Sequence, residues 1–295
     1  MSSSLPLVVL ALSILLLPAS SEFVGQIKSQ VSEPPPCTHT SKSYPEAVCL
    51  GDLAHVYMDQ QKFDEAEAIL KRELQVREKA VGPNNADIVS TLDRLAMVYQ
   101  KESRYPEGEA LLKRALAIRE NTFGTNNMKV AESLQALADL YHAQKRDAEA
   151  EEFLKQALGI EEKALRPTDQ AYPTVSWTLT DLGRLYEGEK RYAEAEPVFA
   201  RALTIYQNAP SPNYFNIGDS LFEVAIVFAL EGKNPEAESY FKQTVATMEK
   251  SLGPEHPHLA PVLEVYSALL QRMNRAAEAG SMKARADKIR AKATQ

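Results

Sequence analysis

Residues 92–112 read LDRLAMVYQKESRYPEGEALL. Leu92, Leu95, Ala96 and Tyr99 stand at offsets of 0, 3, 4 and 7, which an α-helix gathers into one stripe. The alanine in that stripe leaves room for another backbone to approach closely. Tyr105-Pro106-Glu107 then opens a second helix, because proline is tolerated in a first turn and a carboxylate suits the positive end of the helix dipole. Gly108 and Leu112 start the stripe of that second helix. The stretch therefore predicts a helical hairpin.

The same pattern recurs along the chain. Tyr57, Tyr99 and Tyr141 are 42 residues apart, Tyr186 follows after 45, and Phe228 and Leu270 each after a further 42. Seven residues before each lies Leu50, Leu92, Leu134, Leu179, Leu221 or Leu263. Three before lies a small residue: Ala54, Ala96, Ala138, Gly183, Ala225 or Ser267. Nine beyond lies Ala66, Gly108, Ala150, Ala195, Ala237 or Ala279, each directly preceded by a glutamate. Phe63-Asp64 and Asn234-Pro235 open second helices as Tyr105-Pro106 does. Turn-forming joints such as Gly82-Pro83-Asn84-Asn85, Gly124-Thr125-Asn126-Asn127 and Gly253-Pro254 separate the units, and the three extra residues before Tyr186 fall at Arg166-Pro167-Thr168. One hairpin leaves an apolar face uncovered, so the six are expected to stack on one another as an all-α solenoid.

This pattern resembles the tetratricopeptide repeat, through Leu92, Leu95, Ala96, Tyr99, Gly108 and Leu112 and through the second large residue recurring as Leu70, Leu154, Phe199 and Phe241. The 42-residue period, with joints such as Leu252-Gly253-Pro254-Glu255-His256-Pro257, is similar to the kinesin-light-chain branch. The resemblance spans about residues 45–293 and implies a right-handed superhelix of six hairpins. It also implies a non-catalytic scaffold whose first helices line a concave groove for a peptide or partner helix. Carried onto this chain, the groove holds Met97, Gln100, Asp139, His142 and Arg184, with Phe222 and Ile226 from the fifth unit. Trp177, the single tryptophan, shares that side. Family members that grip a terminal carboxylate use lysine and asparagine in this groove; Gly51, Asp93, Gln135, Thr180 and Phe222, the first groove site of each unit, are neither, so terminal-carboxylate recognition is not expected.

Trp177, Arg184, Phe222 and Ile226 are expected to anchor a partner, because aromatic residues and arginine dominate interface hot spots. Phe222, Ile226 and Leu230 form a second apolar stripe beside Leu221, Val224, Ala225 and Phe228, so the competing expectation is that a neighbouring helix covers it.

The ends differ from the array. Leu5 to Leu17 is an apolar run too short to span a bilayer but suited to a signal-peptide core, and Ala19 and Ser21 fit a cleavage site. Residues 1–21 are expected to be a signal peptide, residues 22–44 a proline-containing linker, and residues 45–295 the solenoid with a C-terminal cap helix. Export to the periplasm or medium follows, with an uncleaved anchor as the alternative. Cys37 and Cys49, the two cysteines, are then expected to form a disulfide, with unpaired thiols as the other reading. In the last unit Lys283 replaces the second-helix apolar residue, and the basic tail reads as a polar cap or, less economically, an anion-binding surface.

With 40 acidic against 33 basic side chains, the net charge of −7 argues against nucleic-acid binding. No dinucleotide fingerprint, phosphate loop or zinc-protease helix occurs, so neither catalysis nor a cofactor is expected. Gly218-Asp219-Ser220-Leu221 spells a lipase and esterase motif, but Leu221 is a repeat leucine, which puts Ser220 on a helix rather than after a strand; an esterase-type hydrolase using Ser220 is the alternative from a different class. His256 and His258 offer two metal ligands without a third, and no metal site is expected. Glu67 with Lys71 and Glu109 with Lys113 predict i,i+4 pairs on a solvated face. The expected partner is a protein or peptide, with self-association as the alternative within that class, and no membrane insertion is expected once the signal is cleaved.

Overall fold

The computed structural model describes residues 45–166, 169 and 174–293. The expected signal segment, the linker and Cys37 lie outside them, and with Cys37 the proposed disulfide. Among the described residues there are twelve α-helices and one 3₁₀ turn, and no strand. No described helix is long and apolar enough to cross a membrane.

The chain divides between Arg166 and Pro167 into two compact units. The break falls at the joint where the repeat spacing lengthens from 42 to 45 residues. In the N-terminal unit α1 (Pro45–Asp59) packs on α2 (Phe63–Val81), α3 (Val89–Lys101) on α4 (Tyr105–Phe123), and α5 (Met128–Ala143) on α6 (Asp147–Ala164). Contacts of α2 with α3 and of α4 with α5 stack these hairpins in chain order. The C-terminal unit repeats the scheme with α7 (Thr174–Gly188) on α8 (Tyr192–Gln207), α9 (Tyr214–Leu230) on α10 (Asn234–Leu252), and α11 (Leu259–Arg272) on α12 (Ala276–Ala293).

The repeat positions are the core. Leu92, Leu95, Ala96 and Tyr99 are buried, as are Leu134, Leu179, Leu221 and Leu263 and the second-helix residues Leu70, Leu154, Phe199 and Phe241. Leu50, Leu53 and Tyr57 of α1, which has a described hairpin on one side, are half-buried. Pro106 and Pro235 lie in the first turns of α4 and α10. The Asn85 and Asn127 side chains accept from the Asp87 and Lys129 backbone N–H at 2.9 and 3.0 Å, capping the chain as it re-enters helix.

Each hairpin turns on a left-handed residue four beyond the repeat tyrosine or, in the last two units, beyond Phe228 and Leu270: Gln61, Ser103, Lys145, Lys190, Gly232 and Asn274, with φ from 57° to 81°. The following N–H reaches back to the tyrosine carbonyl, as in Arg104 to Tyr99 at 2.8 Å, which satisfies a carbonyl the helix end would leave open.

A polar stitch ties neighbouring hairpins, and its offsets escaped the sequence reading. Arg104 lies 4.2 Å over the Tyr99 ring and donates to Glu67 of the preceding hairpin at 2.8 Å, while the Tyr99 hydroxyl donates to the same carboxylate at 3.0 Å. Arg146, Tyr141 and Glu109 repeat this arrangement. In the C-terminal unit Arg275 reaches Glu238 at 2.6 Å and Lys233 reaches Glu196 at 2.7 Å. The Glu67–Lys71 and Glu109–Lys113 pairs are present, each at 2.6 Å.

In α12, Ala286 and Ile289 are buried and Lys283 is exposed, so the apolar face persists despite the lysine. Arg285 pairs with Glu249, Arg290 with Glu264, and Lys292 with Glu255. These cations are engaged by carboxylates of the unit itself, which favours the cap over the anion-binding surface.

Candidate functional site

The C-terminal unit holds a cleft of about 240 Å³. Trp177, Thr180, Asp181 and Arg184 line it from α7, and Asn216, Asp219, Ser220 and Glu223 from α9, with Tyr206 of α8 behind them. Residues 177, 181 and 184 repeat at helical spacing, as do 216, 219 and 223, so each helix turns one polar stripe towards the other. The apolar stripes of the same helices are spent on the core, which fixes the rotation that presents the polar ones.

One guanidinium organises the cleft. Arg184 Nε and Nη2 both donate to Glu223 Oε1, at 2.8 and 2.6 Å, joining α7 to α9. Glu187 and Asp219 are less well served. Burial and the nearby Glu223 charge push the Glu187 carboxyl up to about 7 against the pull of Arg184. Burial likewise raises Asp219 to about 6, with Glu223 adding to the rise and His258 and Arg184 opposing it. The Tyr206 phenol is pushed up to about 12, first by burial and then by Asp181 and Asp219, while a hydrogen bond from Trp177 pulls the other way. Trp177 is 57% exposed, an unusual state for so large an apolar side chain.

The expected anchors separate here. Trp177 and Arg184 stand at the cleft. Ile226 is 6% exposed and Phe222 is half-buried, and both face inward. Ile226 shares a core cluster with Val265, Tyr266 and Leu269 of α11, and the Phe222 ring meets Phe241 edge-on at 5.9 Å. The expectation that both meet a partner is corrected: neighbouring helices cover the second apolar stripe of α9. The offsets that expose Arg184 on α7 are buried on α9, and the cleft takes the stripe through Asp219 and Glu223 instead.

The remaining groove candidates belong to the N-terminal unit. Met97 on α3 is 49% exposed. Gln100 Nε2 donates to the Asp139 carbonyl oxygen at 3.4 Å, which brings α3 and α5 together at these positions. His142 Nδ1 lies 2.7 Å from Asp147 Oδ1. Loss of solvation raises the Asp139 carboxyl, and the His142 charge lowers it.

Asp219 and Glu223 were missed as site residues, and Ser220 was read only as a motif. The usable signal was the 216, 219, 223 spacing beside a fully apolar stripe. Ser220 is buried in mid-helix and lines the cleft from there. His256 and His258 stack with ring centres 5.3 Å apart, and His256 Nδ1 accepts from the His258 N–H. Among the described residues, one acidic trio, Asp64, Glu67 and Glu102, is close enough to share an ion, but the Glu67 oxygens are taken by Lys71, Arg104 and Tyr99.

The comparisons agree with this architecture. The family model described as tetratricopeptide repeat matches residues 46–100, 87–163, 174–250 and 216–289. The chain belongs to the tetratricopeptide repeat family. Among curated proteins none matches in sequence. The fold is similar to that of a Podosopora anserina protein described as a kinesin light chain with nearly identical TPR-like repeats, at TM-score 0.60 and 23% identity over 70% of this chain and 97% of that one. BtubC (BKLC) from P. vanneervenii aligns at TM-score 0.67 and 18% identity over 79% and 92% of the two chains. Aspartyl phosphate phosphatase F from Bacillus subtilis aligns at TM-score 0.61 and 13% identity over 94% and 76%. Identities this low show a shared fold alone and leave the activities of those proteins with them.

Proposed function

We propose that this tetratricopeptide protein is an exported binding module that engages an extended segment of a protein partner in the cleft between α7 and α9. The observation that carries the reading is Trp177, exposed at the mouth of a formed cleft and followed on the same helical stripe by Asp181 and Arg184. An exposed aromatic ring beside anchored polar groups is the make-up of an interface hot spot. Arg184 is held by Glu223, so the wall is ordered before a partner arrives and little freedom is lost on binding. The family and the solenoid-type neighbours support a scaffold. The apolar run before Glu22 supports the exported location.

A photo-crosslinking side chain placed at position 177 of the full chain in its native cells tests this, with position 246 on the exposed side of α10 as control. A discrete adduct at 177 that is absent at 246 is expected. Equal labelling at both positions, or none at 177, would remove the cleft as the docking surface, and an adduct between two copies would assign it to self-association.

A further inference from the structure

We infer that the cleft accepts a cationic partner segment, with a lysine or arginine side chain laid against Trp177 and reaching the carboxylates of Asp181 and Asp219. The inference rests on the cleft being the docking surface and adds the chemistry of its occupant.

Two independent observations converge. The first is charge. Asp181, Asp219 and Glu223 line the cleft, Glu187 lies one turn beyond Arg184, and the single guanidinium in the lining points both of its bonding nitrogens at Glu223. Neither Asp219 nor Glu187 has an ion-pair partner within 4 Å among the described residues. An acidic segment would add like charge to this wall, and an apolar one would strip its remaining water without compensation. The second is the ring. Trp177 is the strongest kind of cation acceptor among aromatic side chains, and it stands exposed at the end of the acidic stripe. A long side chain can lie along the indole and still place its charge among the carboxylates.

Burial first, and then the Glu223 charge, raise the Glu187 and Asp219 carboxyls despite the opposing pull of Arg184. The groups facing them are Asp181 and Arg184 on α7, Tyr192 and Tyr206 on α8, Glu223 on α9 and His258 in the joint before α11. As pH falls from about 7 towards 5 the two carboxyls take up protons, so affinity for a cation falls with it.

Trp177 is the only tryptophan, so its emission reports on this cleft alone. The full chain is titrated with three capped eight-residue probes, alternating glycine with arginine, with glutamate or with serine. The arginine probe is expected to shift the emission saturably, more tightly at pH 7.5 than at pH 5.5, and the other two to leave it unchanged. Asp181→Asn with Asp219→Asn, near-isosteric changes whose folding is checked by helical circular dichroism, is expected to weaken the arginine probe about tenfold, as loss of partly desolvated charge partners does. Glu236→Gln, on the exposed start of α10, is expected to leave it within about twofold, as distant surface charges do in salt. Equal response to the glutamate or serine probe, indifference to the double variant, or no response to arginine would overturn the cationic assignment. Crosslinking at position 177 reads the cleft separately: an adduct there with no arginine preference removes the occupant's chemistry and keeps the docking surface.

Discussion

Glu73 stands on α2 where the later second helices carry Ala115, Ala157, Ala202, Thr244 and Ala286. It is fully buried, and Arg94 grips both its oxygens at 2.8 Å while Arg77 and Thr91 donate at 2.9 and 3.0 Å. Arg94 also donates to the Gly51 carbonyl at 3.0 Å, so one guanidinium joins the first two hairpins. A buried carboxylate is tolerable only while its partners stay. Replacing Arg94 by methionine keeps the volume and leaves a buried charge short of its main partner, which is expected to cost about 3–5 kcal/mol. Arg72→Ala, which breaks the exposed pair with Glu46, is expected to cost under about 1 kcal/mol. Urea unfolding followed by circular dichroism compares them, and equal losses would refute the role given to Arg94. The ion pair was invisible in the repeat pattern because glutamate at an alanine position reads as one more exposed charge until Thr91 and Arg94 are seen to enclose it.

Helices α7 and α8 show how the repeat tolerates variation by compensation. Position 183 carries glycine where Ala96, Ala138 and Ala225 stand in other first helices, and Phe199 faces it where Leu70, Leu112 and Leu154 stand in three other second helices and Phe241 in a fourth. A methyl group on Gly183 would come within 2.6–2.8 Å of the Phe199 ring, and that ring is buried and cannot swing away. Gly183→Ala is therefore expected to destabilise the C-terminal unit by about 1–3 kcal/mol despite alanine's better helix propensity. Adding Phe199→Leu should recover part of the loss, giving a coupling of about 1 kcal/mol in a double-mutant cycle on unfolding midpoints. Additive costs would show that the two positions do not share a packing constraint. The small position itself was legible in the sequence; its pairing with an enlarged partner sixteen residues on was not, because it depends on how two helices seat.

For the molecule as a whole, acidity acts on different groups in different windows. Burial alone would raise Glu67, but bonds from Lys71, Arg104 and Tyr99 prevail and hold it at about 2, below the usual 4.5. Its stabilisation is present above about pH 4.5 and is lost as pH falls towards 2. Glu187 and Asp219 run the other way: at about 7 and 6, the folded C-terminal unit holds protons that its unfolded chain would release. Their charged forms oppose folding above those values, so stability rises as pH falls from 8 to 5. Urea unfolding read by Trp177 emission is expected to show a midpoint higher at pH 5.5 than at pH 8, and Glu187→Gln with Asp219→Asn should flatten that slope. A slope unchanged in the double variant would place its origin elsewhere.

The linear chain by itself determined the helices, their order and their buried stripes, because a 42-residue period with offsets of 0, 3, 4 and 7 is fixed by neighbours on one helix. It also marked the Arg166–Pro167 joint, through three extra residues, without showing that the chain divides into units there. Only the tertiary structure decided which polar faces meet. Arg184 and Glu223 are 39 residues apart, and their contact depends on the relative rotation of α7 and α9, which core packing sets. The same packing turned Ile226 inward against α11 and left Trp177 outward. Both are apolar residues on first helices, so no property of either side chain distinguished them before their neighbours were in place.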